Sequence, residues 1–594
     1  MTPDPENDEN SLHAWIDRGV TLAMSKKYSE AIQSYDKALA IDPTYSLAWY
    51  NRGNALVQLN RYEEALQNFD KALEKDLKYS LAWYNRGNVL VRLKKYDEAV
   101  RSYDNALEND PKNPNILNNR GFALFNLKKY DEAVQNYDKA LALNQNFLPA
   151  WNNRGLALGN MKKYDEAVQS YDKVLALDPN YLRAWNNRGN ALVELKKYDE
   201  AIESFDKGLN GDPKFSEAWF NRGIAFANLK KYAEAVQSYD KVLELDPGDV
   251  MAWYNRADAL GNLTQYDEVI RSYDKILELD PKFSAAWSNR GYTLSLLKRY
   301  SEAIQNYDEA LEINPEDARA WSNRGNALGT LKLYHEAIES YDMALETDPK
   351  NPDVWWNRGY SFSLLKKYEE AIQSYHNALE ADPKNPNVWW NLGIALAELK
   401  KYEDAIQSFD KVLELDPKNL NVWWRRGLAL AELKKYDEAL ESFDKVLASD
   451  PKNPRIWWNR GFALFNLKKY EEAVQSYDKV LELDPKNSMA WYNRGNALVQ
   501  LQKFDEALQS FDKVVEIDPD YSMGWNNRGA VFAELKKYEE AIQNYDKAVA
   551  VDPKNTLAWK NRGDALTQLK KYDEAWLSYA KSVGVDAPDL FHKG

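Results

Sequence analysis

Four histidines, His13, His335, His376 and His592, are the side chains whose ordinary pKa lies nearest neutrality, and each stands in a different part of the chain. No HExxH pair, glycine-rich phosphate loop or GxSxG nucleophile turn occurs. Cysteine is absent, which removes disulfides, thiolate metal sites and thiol catalysis together. The groups that do recur at fixed spacing are carboxylate, guanidinium and amide. Their chemistry is ion pairing and hydrogen bonding, so the reading expects no enzyme, no metal and no cofactor.

Spacing identifies the elements that carry these groups. A tryptophan recurs every 34 residues, at Trp15, Trp49 and Trp83, then Leu117 in its place, then Trp151 onward to Trp559, which makes 17 units over about residues 12 to 589. A period of this length signals stacked supersecondary units that complete one another's cores. Positions in a unit are counted here from the tryptophan as zero. In one unit, Trp49, Gly53, Leu56 and Leu59 lie at helical spacing, and after a polar break so do Tyr62, Ala65, Phe69 and Ala72. Two helices per unit follow. Lys-Lys closes the first, Asp or Glu opens the second, and in most units Asp-Pro ends it. The small Gly53 and Ala65 are expected to let the two helices approach closely.

The spacing of Trp49, Gly53, Tyr62, Ala65, Phe69 and Ala72, with Pro43 closing the preceding unit, resembles the tetratricopeptide repeat. The resemblance covers nearly the whole chain. It implies an all-α fold, a right-handed superhelical solenoid of antiparallel helix pairs whose first helices line a concave groove where peptides bind. Departures are few: Leu117 for Trp, Leu77 and Gln145 for the closing Pro, and Ala257 for Gly.

Asp stands at position 21 in 15 units and Arg at position 3 in 16 of 17. The internal unit without the Asp has His376, and the unit that follows it has Leu392 in place of Arg. The last unit, with no successor, has Ala580. These coincident exceptions predict a ladder between units, Asp36 with Arg52, Asp70 with Arg86 and so on, each rung worth about 0 to 1 kcal/mol if exposed. His376 is then a gap in a structural ladder.

Positions 1, 2 and 5 fall on the first-helix face away from the tryptophan and glycine, which are expected to be buried. Position 2 is Asn51, Asn85, Asn119, Asn153, Asn187, Asn221, Asn255, Asn289, Asn323, Asn357, Asn391, Asn459, Asn493, Asn527 and Asn561, with Asp17 and Arg425 as exceptions. An amide offers a donor and an acceptor. The resemblance implies that asparagine in this slot pairs with the backbone of an extended peptide; the alternative is bonding to neighbouring helices or water. Units four to six carry Asn118, Asn152 and Asn186 at position 1, a polar floor. Units eleven to fourteen carry Trp356, Trp390, Trp424 and Trp458 there, with Tyr360, Ile394, Leu428 and Phe462 at position 5. Indole beside an apolar side chain makes the type of pocket in which binding energy concentrates. Arg425 lies in this stretch, ready for a partner carboxylate. The competing reading is that these indoles only pack between helices.

The net charge of −14 and pI near 5.2 give no basic footprint for nucleic acid or an anionic membrane. The start MTPDPENDEN lacks signal-peptide features, and no apolar run approaches the roughly 18 residues of a membrane helix, so a soluble cytoplasmic protein is expected. Residues 1–11 read as a disordered acidic segment, 12–589 as the repeats and 590–594 as a short tail. After Lys581 only SVGVDAPDLFHKG follows, and Trp576 and Leu577 lie on the last second helix. An uncapped apolar end suggests head-to-tail self-assembly, unless a tail helix around Asp589 to His592 covers it. The leading expectation is a non-catalytic scaffold that binds extended segments of partner proteins, and self-assembly through the repeat ends is its rival.

Overall fold

The computed structural model describes residues 11–585. Residues 1–10, the tail at 590–594, His592 and the expected tail helix lie outside the described residues. Those described form 34 α-helices and no strand, two helices to each 34-residue repeat. Two compact bodies divide the chain, one up to Leu297 and one from Lys298 onward. In the first, helices run in series from Leu12–Met24 to Ser284–Leu296; in the second they run from Tyr300–Ile313 to Tyr572–Ser582. Within each body the elements are short antiparallel helices, each packed on its neighbours in the chain.

The third repeat shows why the sequence folds this way. Its helices are Ser80–Arg92 and Tyr96–Asn109. Ala82, Val89 and Leu90 form the buried stripe of the first, and Ala99, Tyr103 and Ala106 that of the second. Between them, Lys94 adopts φ 58°, with its N–H on the Val91 carbonyl at 3.0 Å and the Lys95 N–H on the Leu90 carbonyl at 2.8 Å. This is a Schellman stop, which ordinarily takes glycine. Seventeen such left-handed residues recur, one per repeat, and none is glycine. The Lys-Lys pair thus sits in the turn and not in the last helical turn. Asp97 and Glu98 do open the second helix as expected.

In most repeats the second helix ends in an Asx turn, as in the second repeat, where Asp76 Oδ1 accepts the Lys78 N–H at 3.0 Å. Proline is therefore dispensable, and the helices before Leu77 and Gln145 stop in register with their siblings.

Two expectations about packing need correction. The recurring tryptophan is half-buried, and the residue before it, such as Ala48 or Ala82, is the one fully buried. Its indole instead donates to the carbonyl six residues earlier, as Trp49 Nε1 does to Pro43 at 2.9 Å. Because the acceptor is backbone, Leu77 and Gln145 serve equally, each at 2.9 Å. The glycine at position 4 admits an aromatic ring more than it brings backbones together: a Cβ on Gly393 would stand 2.6 Å from Phe409 Cε1. Position 20 is this ring throughout, Tyr103 and Phe409 being fully buried examples.

The Asp–Arg ladder exists. Fifteen rungs join position 21 of one repeat to position 3 of the next at 2.6 to 2.8 Å, from Asp36–Arg52 to Asp546–Arg562. Most of these arginines also have a forward arm: Arg86 Nη1 donates to Ser102 at 2.6 Å, and Arg52 to Asn68 at 3.0 Å. One guanidinium therefore ties three successive helices. His376 is exposed and Leu392 is buried in an apolar cluster with Tyr375, Val388 and Leu396, so the missing rung is an apolar contact.

Candidate functional site

The first helices present positions 1, 2 and 5 along one face, and the clefts on that face are lined by them. In the first body a cleft of about 500 Å³ holds Asn54, Asn85, Asn88, Asn119 and Phe122 beside Tyr103. A second, of about 410 Å³, holds Leu156, Asn187, Asn190, Asn221 and Ile224. In the second body a cleft of about 300 Å³ lies among Phe409, Tyr402, Arg425 and Leu428. These volumes fall around the lower half of the range for ligand sites.

The asparagines at position 2 are all half-buried but not equivalent. Asn85 Nδ2 donates to the Tyr50 hydroxyl at 3.1 Å and to Asn54 Oδ1 at 2.8 Å, that is, to positions 1 and 5 of the preceding repeat. Asn119 does the same with Tyr84 and Asn88, and Asn527 with Tyr492 and Asn496. Asn153, Asn221 and Asn561 donate to the amides Asn118, Asn186 and Asn526, Asn289 to the Tyr254 hydroxyl, and Asn357 to Asn326. Asn255 turns back to the Met251 carbonyl. The polar floor of repeats four to six is thus part of an internal amide network. Asn152 Oδ1 is its loose end, buried without a donor, and Asn187 beside it in sequence register is unbonded.

Where position 1 is tryptophan the pattern stops. An indole is a donor only and cannot receive an asparagine N–H. Asn391, Asn459 and Asn493, which follow Trp356, Trp424 and Trp458 by one repeat, make no side-chain hydrogen bond among the described residues. The four indoles are half-buried and pack on the core: Trp356 and Trp390 against the cluster around Val388, Trp424 and Trp458 against that around Ile456. Nε1 of Trp356 and of Trp424 is buried with no acceptor. Tyr360 stacks on Trp356 at 5.9 Å and Phe462 on Trp458 at 5.8 Å, and both outer rings stay exposed, 45% and 40%. Ile394 and Leu428 are half-buried. Arg425 lies over the Trp424 ring at 5.4 Å and forms no ion pair among the described residues, although Glu398 and Glu432 line the same cleft. The indoles therefore pack, as one reading expected, and also carry exposed apolar partners, as the other did.

Among the described residues no cluster of His, Cys, Asp and Glu could hold a metal ion, and no helix is long and apolar enough to cross a membrane. Known family patterns recur along the chain. Tetratricopeptide repeat patterns match residues 50–146, 149–181, 170–203, 216–249, 238–271, 284–385 and 488–555, and TPR repeat matches 22–59 and 189–230. The Cytochrome c-type biogenesis protein H TPR domain matches 370–488. The chain belongs to the tetratricopeptide repeat family. Residues 266–297 also match the Protein prenyltransferase alpha subunit repeat.

Among solved tetratricopeptide proteins, YrrB, described as having an unusual peptide-binding site, is 26% identical over 32% of this chain and 96% of its own, with TM-score 0.29. MamA from Desulfovibrio magneticus RS-1 is 26% identical over 29% of this chain and 96% of its own, with TM-score 0.28. The C-terminal part of a TPR repeat-containing protein from Cytophaga hutchinsonii is 19% identical over 40% and 98%, with TM-score 0.37. No curated protein matches the chain.

Proposed function

We propose that this tetratricopeptide protein is a non-catalytic scaffold that holds an extended segment of a partner protein along its first-helix face. The observation that supports this reading is the set of open clefts on that face, lined at position 2 by groups not engaged within the described chain, Asn187 and Arg425, and at position 5 by variable side chains. An amide not engaged within the chain can contact backbone whatever its sequence, and position 5 supplies selectivity. Turn lysines such as Lys197 and Lys231 face Asp165 and Asp199 of the preceding repeat at 3.6 and 3.5 Å, which offsets their charge. Nucleic acid is not a partner in this reading, and neither is the interior of a membrane.

The test is site-specific photocrosslinking in the source cells. A photoreactive phenylalanine at Leu428, on the first-helix face, should trap partner proteins that the same group at the exposed Leu177, on a second helix, does not. Equal capture at both positions, or none at Leu428, would remove the proposal. A second reading, self-assembly, draws support from Trp576 and Leu577, which are 42% and 38% exposed on the last described helix. Light scattering that shows mass rising with concentration, and falling after Trp576→Glu, would favour it.

A further inference from the structure

We infer that the first-helix face has one binding segment, set by repeats eleven to fifteen, and that its occupant is an extended stretch of about ten residues with an Asp or Glu side chain near its middle. This rests on the scaffold reading above and assigns it a place and a chemistry.

The place follows from hydrogen-bond accounting. A position-2 amide can hold a foreign backbone only if its own chain does not already use it. In eight repeats it is used in this way, bonded to Tyr or Asn at position 1 or 5 of the preceding repeat, as Asn85 is to Tyr50 and Asn54. Four successive tryptophans at position 1 remove the position-1 acceptor from the four repeats that follow; position 5 of the tryptophan repeats is apolar in three, and in the other Tyr360 stacks on Trp356 and takes no bond from Asn391. The result is an uninterrupted run of unengaged position-2 groups, Asn391, Arg425, Asn459 and Asn493. Elsewhere such groups are fewer in a row: Asp17 and Asn51 in the first two repeats, and Asn187 and Asn323 singly.

The occupant follows from geometry and charge. Neighbouring packed helices lie about 8–10 Å apart, and an extended strand advances about 3.3 Å per residue. Each position-2 group then meets every third residue, and four of them span about ten. The free amides suit backbone carbonyl and N–H groups. Arg425 differs from the rest: its guanidinium lies on an indole, forms no ion pair among the described residues although Glu398 and Glu432 line its cleft, and opens on that 300 Å³ cleft beside Leu428. A carboxylate is the complement to that fork. The run continues past Arg425 on both sides, to Asn391 and to Asn459 and Asn493, so the strand does too. The carboxylate is therefore a side chain and not a chain terminus. The exposed faces of Tyr360 and Phe462 stand toward the two ends of the run and favour bulky apolar side chains there. Arg425 also resolves register, because a strand sliding by one repeat would leave its acid opposite an amide.

The test selects random peptides of about twelve residues, displayed on phage without a free C-terminus, against the full-length chain, and then measures selected peptides by fluorescence anisotropy. The enriched peptides should share an Asp or Glu between apolar residues. Arg425→Asn installs the residue its sibling repeats carry and should weaken binding about tenfold or more, the scale of a charge-assisted hydrogen bond; repeating the selection on it should lose the acid. Trp424→Tyr restores a hydroxyl, as in Tyr50 and Tyr84, that captures Asn459, and should weaken binding several-fold with the helix content unchanged. Asn119→Ala and Asn527→Ala, at engaged amides, should leave affinity within about twofold. Peptides that ignore Arg425→Asn and Trp424→Tyr but respond to Asn119→Ala or Asn527→Ala would overturn this assignment and leave the scaffold reading standing. Absence of any enriched peptide would count against both.

Discussion

At the scale of single residues, position 20 shows how one atom changes sign with its surroundings. The buried Tyr103 hydroxyl donates to Asn88 Oδ1 at 2.8 Å, whereas the equally buried Tyr137 hydroxyl has no partner because its repeat carries Phe122 where the other has Asn88. An unsatisfied buried hydroxyl costs about 1–3 kcal/mol, while a satisfied one contributes about 1. Tyr137→Phe should therefore stabilise its repeat by about 1 kcal/mol and Tyr103→Phe should cost a similar amount. Amide hydrogen exchange in Tyr130–Leu143 and Tyr96–Asn109 reads the two signs separately. The glycine opposite the ring gives a companion case. Gly393→Ala would set a methyl against Phe409 and should cost about 1–3 kcal/mol by overpacking, seen as lost protection in Pro386–Glu398.

At the scale of helices, the arginine at position 3 is a clamp with one arm back and one forward. The backward arm was legible in the sequence because its two partners fail together, at His376 and Leu392. The forward arm was overlooked, although position 19 is Ser or Asn in every repeat, on a stripe otherwise apolar; a constant small polar group on a buried stripe is the signal that would have exposed it. The left-handed lysines had no such signal, since lysine near a helix end is expected on charge grounds alone. The unequal asparagines were legible only by asking what precedes each of them, because hydrogen-bond capacity here is shared between repeats. The gap in the ladder can be repaired. Leu392→Arg alone should cost about 2 kcal/mol, close to the burial lost with one leucine, and adding His376→Asp should recover about 1 kcal/mol by completing the rung. A double-mutant cycle read by exchange in Pro386–Glu398 that shows no coupling would contradict the clamp.

At the scale of the whole molecule, the repeated tyrosines predict the response to alkali. Burial pushes the Tyr35 hydroxyl up to about 12, and raises Tyr103, Tyr137, Tyr171, Tyr239, Tyr341, Tyr375, Tyr477 and Tyr545 likewise. A folded pKa above the unfolded value means the unfolded chain releases its protons first. Stability is thus complete below about pH 10 and falls as pH climbs from there toward the folded values. Helix content and tyrosinate absorbance should change together above that pH. Because each repeat contacts chiefly its neighbours, repeats with Phe69, Phe205, Phe409, Phe443 or Phe511 in the slot should hold their exchange protection longest.

The rungs have a further consequence for order along the chain. Almost every repeat offers an aspartate to its successor and an arginine to its predecessor, so any of these could stand beside any other and still close its rungs. Only the repeats that carry His376 and Leu392 are shaped for each other: put either elsewhere and a carboxylate would face leucine or a guanidinium would face histidine. As far as the rungs go, that single seam is where the order of the tiles is written, and it lies within the tryptophan stretch, between Tyr368–Ala381 and the helix Pro386–Glu398 that also carries Trp390.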